Sequence, residues 1–323
     1  MAKSITTQII RIVTLLLGVT ILTFVLLYNS PINTIDAYIG EKAVSELQKA
    51  NIIAKWGLDE PFFTQYTSWL KNVLCGDFGE SIAYQRSVIT IIKESFYSSL
   101  LLMGFAWLIS GILGFSLGII AGFKQNSIID KIINTFSLIL ISTPSFWLGL
   151  LLLMFFSVYL GIFPLGFASP IGKVSSEVTI FDTFHHLFLP ALTLSIVGIS
   201  PVILHTRAKV IEILNSDFIL FAKALGKSKR EIIFSHILKN SALPALTLQF
   251  ASFGELFGGS ILAEKVFSYS GLGSVVVNAG MKGDMQLLLG ITLFASLFVF
   301  FGNFCANILY NKINPEIKKG KLS

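Results

Sequence analysis

"SSLLLMGFAWLISGILGFSLGIIAGF", residues 98–123, runs for 26 positions without a charged side chain. A helix needs about 20 residues, at about 1.5 Å each, to cross roughly 30 Å of hydrocarbon. The run therefore reads as a membrane-spanning helix. Five more runs of this kind flank it: Ile9–Tyr28, Ile133–Leu160, Leu187–Leu204, Leu243–Ala263 and Leu287–Leu309. The expected fold is all-α, a polytopic membrane protein with about six transmembrane helices. Pro144, Pro190, Pro201 and Pro244 fall in or near these spans, where neighbouring helices can re-satisfy freed backbone groups. The fourth span is short and is interrupted by Pro201.

Composition agrees. The chain is 54% hydrophobic and only 13% charged, with 29 phenylalanines and a mean hydropathy of +0.77. Soluble domains carry about twice that share of charge. Within the opening run, "GILGFSLGIIAG" (residues 111–122) puts Gly114, Gly118 and Gly122 on one helical face. Small residues four apart let two membrane helices approach closely, so this face is expected to pack on another span.

Basic residues orient the bundle. Arg207, Lys209, Lys223, Lys227, Lys229, Arg230 and Lys239 crowd one loop against Glu212, Asp217 and Glu231, and the tail after Tyr310 is also basic. Lys124 and Lys131 fall on the same side if six spans alternate. The positive-inside rule then puts both termini and the 207–240 loop in the cytoplasm. The net charge of +6 reflects this orientation and calls for no nucleic-acid partner. Lys3 and Arg11 ahead of an apolar run also fit a signal peptide. That run is long, and "LLYNSPIN" (residues 26–33) offers no small-x-small cleavage site, so a retained helix is expected. Cys75 and Cys305 match no metal or disulfide spacing.

Four segments follow: an N-terminal transmembrane helix (1–30), an extracytoplasmic helical segment (31–97), a five-helix transmembrane core (98–311) with a cytoplasmic loop at 207–242, and a cytoplasmic tail (312–323). In the second, "EKAVSELQKANIIAKWGLDEPF" (41–62) has helical periodicity through Val44, Leu47 and Ile52 and stops at Gly57. "YTSWLKNVL" (66–74) continues with an aromatic face. A helical cap and a plain spacer both fit this periodicity.

Within the loop, "FAKALGKSK" (221–229) ends in the Gly-Lys-Ser that closes a phosphate-binding loop. Such a loop needs a glycine five positions before Gly226, where Phe221 stands, and a strand ahead of it, where the sequence reads as helix. Nucleotide binding is not expected here. Asp217 is placed to cap a helix that Gly226 breaks, and Ser228 to cap the next. Ile232, Ile233, Ile237 and Leu238 form a candidate apolar stripe. A helix–glycine–helix unit of this kind could dock into a groove on another protein or lie on a lipid surface.

"DFILFAKALGKSKREIIFSHILKNSALP" (217–244) resembles the cytoplasmic coupling loop of ABC importer permeases, through Ala222, Gly226, His236, Asn240 and Pro244. The acidic residue that names that loop is missing, since Leu220-Phe221-Ala222 stands there. "WGLDEPFFTQYTSWLKNVLCGDFGES", "STPSFWLGLLLLMFFSVYLGIFPLGF", "HHLFLPALTLS", "AEKVFSYSGLGSVVVNAGMKGDMQLL" and "NPEIK" are similar to the peptide and nickel branch of the same family. Ser270 departs from it, where a proline is usual.

The resemblance implies a type I importer permease that hydrolyses no ATP itself and binds no cofactor. ATP would be used by two separate ATP-binding subunits gripping Asp217, Ala222, Gly226, Lys229, His236, Asn240 and Pro244. A second permease chain, homologous but different, and an external solute-binding protein are the other implied partners, in a bacterial inner membrane. Glu264, Gly271 and Gly273 fall at the outer gate or in structural positions.

"FGELFGGSILAE" (253–264) sets Glu255 among apolar and glycine residues. An ionisable group at membrane depth faces a water-filled path or a charged partner, and both stay open here. "GELFGG" and "QRSV" (85–88) are closer to nickel-importing permeases, so nickel or a nickel chelate is the expected cargo, with di- or oligopeptides as the alternative. His185 and His186 invite a ligand reading, but adjacent residues on a helix point about 100° apart, so no metal site is expected. A secondary transporter or channel would leave the elaborate loop without a role. An intramembrane enzyme would need His-Glu-x-x-His, which the sequence lacks, or Gly-x-Ser-x-Gly on a strand-to-helix turn, whereas "GFSLG" (114–118) lies in the middle of an apolar helical run.

Overall fold

A computed structural model describes residues 2–31, 45–57 and 59–313. Residues 314–323 of the predicted tail, with "NPEIK", lie outside the described residues, as does Val44. The chain divides into two compact units, Met1–Ser99 with Ser270–Phe298, and Leu100–Tyr269 with Val299–Ser323.

The first unit begins with α1 (Ala2–Tyr28), α2 (Glu46–Trp56) and α3 (Phe62–Leu74). Ser45 and Gln48 close a capping box at the start of α2, and Gly57, at φ +62°, ends it. Leu47, expected on an apolar face, is exposed, whereas Tyr66 and Trp69 on α3 are buried as the aromatic pattern predicts. They pack with Phe24 of α1 and Leu289, and the Thr20 hydroxyl lies 2.9 Å from that of Tyr66. A two-residue hairpin, Glu80–Ser81 with Arg86–Ser87, leads into α4 (Val88–Phe123).

The second unit holds the rest of α4, then α5 (Ile128–Ser142) and α6 (Ser145–Leu152), which passes into a π-helical turn at Leu153–Tyr159. The long α7 (Ile180–Leu214) touches α5, α6, α10 and α11 and is the hub of the unit. Next come α8 (Asp217–Ala224), α9 (Lys229–Ile232), a π turn at Ile233–Ile237, α10 (Leu238–Ala251) and α11 (Phe253–Val266). The first unit resumes with α12 (Leu272–Met281) and the start of α13 (Met285–Ile313).

About six spans were expected, and the structure adds the shape of those apolar runs. Ile10–Tyr28, Val88–Phe123 and Met285–Asn311 are long and apolar enough to cross a membrane. The predicted third span bends by 104° between α5 and α6. Thr143, forced out of helical geometry by the proline after it (φ −99°, ψ 129°), accounts for the bend. The fourth is the middle of α7, which runs through Pro190 and Pro201 and bends by 48° near residue 197. Among the described residues, counting each bent pair as one span gives up to five. The predicted fifth, Leu243–Ala263, is two helices of 14 residues broken at Ser252, whose hydroxyl turns back to the Gln249 carbonyl.

Candidate functional site

The segment 216–244 folds as a helix–turn–helix hung on the end of α7. Ser216, not Asp217, occupies the N-cap position of α8, and Asp217 is the acid of its first turn, favourably placed against the helix dipole. At the other end Gly226 takes φ +78°, a left-handed conformation that side chains resist. Its N–H donates to the Lys223 carbonyl and that of Lys227 to the Ala222 carbonyl, the two bonds of a Schellman cap. Ser228 then opens α9. Its N–H and hydroxyl donate to the Glu231 carboxylate at 2.7 and 2.8 Å, and the Glu231 N–H donates back to its hydroxyl. These bonds hold the Glu231 carboxyl below the usual range. No strand precedes Gly226-Lys227-Ser228; α7 and α8 do.

What fixes the unit to the bundle is apolar. Ile219 of α8 and Ile232 and Ile237 beyond the turn are buried with Val210 and Ile213 of α7, and Ile119, Phe123 and Ile233 close over them. Each such side chain contributes about 1.5–3 kcal/mol when buried. Ala222 is buried as well.

The opposite face is uncovered. Leu220, Phe221, Leu225 and Phe234 are more than 60% exposed, and Phe218 is 45% exposed. Arg230 lies over the Phe234 ring, and Lys227 reaches His236, which stacks loosely on Phe218. Asn240 is exposed and donates to the His236 carbonyl, while Pro244 sits inside α10. The side chain of Lys229 lies outside the described residues. Exposed apolar side chains rimmed with basic groups are the kind of surface that a partner protein or a membrane covers.

The glycine stripe meets α7. A Cβ added to Gly114, Gly118 or Gly122 would stand 2.8, 2.6 or 2.7 Å from the Cβ of Val202, Thr206 or Val210. The backbones of α4 and α7 touch, which no other residue type permits.

Beside this contact lies an ion pair that inspection of the sequence did not single out. Arg207 of α7 donates through Nε and a terminal nitrogen to the two carboxylate oxygens of Asp130, at 2.6 and 2.8 Å. The Asn126 N–H supplies a third bond at 2.9 Å, and Asp130 is almost fully buried. Contacts made across 77 residues leave no local pattern to read.

Glu255, on the first turn of α11, is exposed and opens on a small recess with Trp107, Ser110, Gly198, Ser252 and Leu256. Among the described residues, no lysine or arginine lines it. Buried Gln249 adjoins it, its side-chain amide donating to the Ser110 hydroxyl at 3.2 Å and its backbone carbonyl accepting from the Trp107 indole at 3.3 Å. A glutamine inside the predicted fifth span was the available signal for this polar group.

Glu264 is fully buried, and its carbonyl accepts from the Tyr269 N–H at 2.8 Å. Burial, with the Glu264 charge adding, pushes the Tyr269 phenol up to about 12. Gly271 caps α12 and Gly273 is buried in it, in the first unit. Nε2 of His185 and Nδ1 of His186 bond to the backbone carbonyls of Ile162 and Gly166, which ties the 160–167 loop to α7.

Residues 114–319 match the family described as "Binding-protein-dependent transport system inner membrane component", and residues 1–102 its companion, "Binding-prot-dependent transport system membrane comp, N-term". The oligopeptide transport system permease protein AppB of Bacillus subtilis (strain 168) is 32% identical, over 98% of this chain and 100% of its own. The di/tripeptide transport system permease protein DppB of Pseudomonas aeruginosa (strain UCBPP-PA14) is 33% identical, over 93% and 94%. The dipeptide transport system permease protein DppB of Escherichia coli (strain K12) is 28% identical, over 94% and 95%. A chain from inward-facing structures of the MetNI methionine ABC transporter shares the fold, with a TM-score of 0.52 at 15% identity over 70% of this chain and 97% of that one. The chain belongs to the family of binding-protein-dependent transport system inner membrane components, and it is an ABC importer permease subunit.

Proposed function

We propose that this permease subunit passes di- or oligopeptides inward, driven by ATP that separate subunits hydrolyse. The observation that carries the peptide reading is full-length similarity to permeases named for peptides. The nickel expectation rested on "GELFGG" and "QRSV" and has no such support.

The mechanism follows from the site. The bare patch of Leu220, Phe221, Leu225 and Phe234 is the surface for an ATP-binding subunit, with the basic rim around it. When two such subunits close, α8 and α9 move with them. The isoleucine cluster passes that motion to α7, and the spans rock as rigid bodies between inward-open and outward-open states. Glu255 and Ser110 give the path a polar lining, with Gln249 bonded to the Ser110 hydroxyl behind it, and there a carboxylate can meet the ammonium end of a peptide. A second, different permease chain completes the path, and a binding protein delivers the cargo. The charge distribution supports a bacterial inner membrane with both termini cytoplasmic.

The test is uptake of radiolabelled alanine peptides and of radioactive nickel by cells with the gene intact, deleted, or carrying Glu255→Gln. Peptide uptake that disappears on deletion, with nickel uptake unchanged, is expected. Loss of nickel uptake alone would return the cargo to the metal. A further drop in peptide uptake with Glu255→Gln, at normal protein level, would support its place on the path.

A further inference from the structure

The Asp130–Arg207 pair lies two turns before α7 ends in the coupling unit. Val210 and Ile213, on those two turns, are the part of α7 that buries Ile219, Ile232 and Ile237. Just above, the Arg207 carbonyl lies 2.9 Å from where a Cβ on Gly122 would stand, so α4 is locked against α7 at the same level. The third helix here is α5. Asp130 sits in its first turn, N-capped by Ser127, and accepts from the Asn126 N–H of the turn that joins α4 to α5.

A cluster of isoleucines resists separation but tolerates sliding, because dispersion contacts have no preferred direction. Two parallel N–H···O bonds from one guanidinium do have one, and they fix the rotation of α7 against α5. A buried ion pair adds little net stability over apolar side chains of the same size, and fixing one arrangement is a use to which such pairs are put. A second pair on α7, Lys209–Glu212, lies within one turn and joins nothing else.

We infer that Asp130 and Arg207 are positioning residues for energy coupling: the fork between them makes α4, α5 and α7 one block at the root of the coupling unit, so that movement of α8 and α9 reaches the path instead of being lost as rotation of α7. This rests on the transport reading above. Neither residue touches cargo or nucleotide. Breaking the fork lets ATP be hydrolysed with less peptide moved.

The experiment uses membrane vesicles holding the assembled importer and its loaded binding protein, with radiolabelled di- and tetra-alanine as cargo. Peptide imported and ATP hydrolysed are measured together. Asp130→Asn is expected to raise the ATP spent per peptide about tenfold, within the usual range of coupling between sites. Arg207→Lys, which keeps the charge and loses the fork, moves the ratio the same way and serves if Asp130→Asn does not accumulate. The exchange Asp130→Arg with Arg207→Asp recovers part of the loss, which a mere packing role would not predict. Lys209→Ala leaves the ratio alone. An unchanged ratio in Asp130→Asn or Arg207→Lys at wild-type protein level overturns the inference. Wild-type vesicles that import neither peptide would overturn the peptide reading first, and this one with it.

Discussion

Two turns in this chain are built alike and used differently. At residues 222–231 a helix ends on Gly226 in a Schellman cap and the next begins on Ser228. At residues 279–287 a helix ends on Gly283, at φ +60°, with the N–H groups of Gly283 and Asp284 donating to the carbonyls of Gly280 and Ala279, and the next begins on Asp284. In the first turn the carboxylate of Glu231 bonds only to its own cap. In the second, the fully buried Asp284 carboxylate also accepts from the Ser81 hydroxyl at 2.6 Å and the Ala83 N–H at 2.9 Å, some 200 positions away in sequence. Asp284 staples its unit together. The turn at Gly226 leaves its outer face bare, which suits a surface that another chain completes.

The contrast makes predictions of decreasing size. Asp284→Ala strands the Ser81 hydroxyl and the N–H groups of Ala83 and Leu287 and is expected to cost about 4 kcal/mol, from the price of unsatisfied buried donors. Thermal unfolding of the detergent-solubilised chain measures this. A shift no larger than that of Ser228→Ala would erase the contrast. Gly226→Pro cannot adopt φ +78° and removes a donor, at about 3 kcal/mol confined to the coupling unit. The variant should reach the membrane at normal level and import nothing; normal uptake would sink the coupling role of this turn.

Ser228→Ala removes one helix cap and is expected to cost about 1 kcal/mol. Phe221→Ser should change the stability of the isolated chain by under about 0.5 kcal/mol, yet weaken co-purification of the ATP-binding subunit. Equal co-purification would place the partner elsewhere. The smallest effect is that of acid. The Glu231 carboxyl is held below its ordinary value near 4.5, so the folded state binds fewer protons than the unfolded one. Its contribution is complete above that value and is lost as pH falls through the folded one. Hydrogen-exchange protection at α9, corrected for the slower intrinsic exchange in acid, should fall across that window in the wild type and show no such step in Glu231→Gln.

The same contrast separates what could be read from the sequence from what could not. Gly226, Ser228 and Glu231 lie within six positions, and their cap is a local rule written in neighbouring letters. The glycine stripe is also local on the α4 side, although nothing in it names Val202, Thr206 and Val210 as the surface it meets. Asp284 precedes an apolar helix and Asp130 stands in the first turn of one, so a role at a helix start was visible. Their distant partners were not, because pairings across 77 and 203 residues depend on how the helices pack. Hydropathy likewise located the apolar runs but not their shape, since a run bent by 104° has the same average as a straight one. Thr143-Pro144 was the available warning, and Ser252 offered none as clear.

The glycine stripe has a consequence on another timescale. Every other amino acid adds at least one carbon where Gly114, Gly118 and Gly122 have none, and the facing backbone carbonyls of Ile199, Ile203 and Arg207 stand within 3.0 Å of where it would go. A side chain can turn aside to admit a newcomer, but a backbone carbonyl inside a helix has no second position. As descendants of this sequence accumulate changes, the exposed apolar faces can drift freely from leucine to isoleucine to phenylalanine. These three positions should stand still, and the first lineage to lose one should be found to have moved a whole helix.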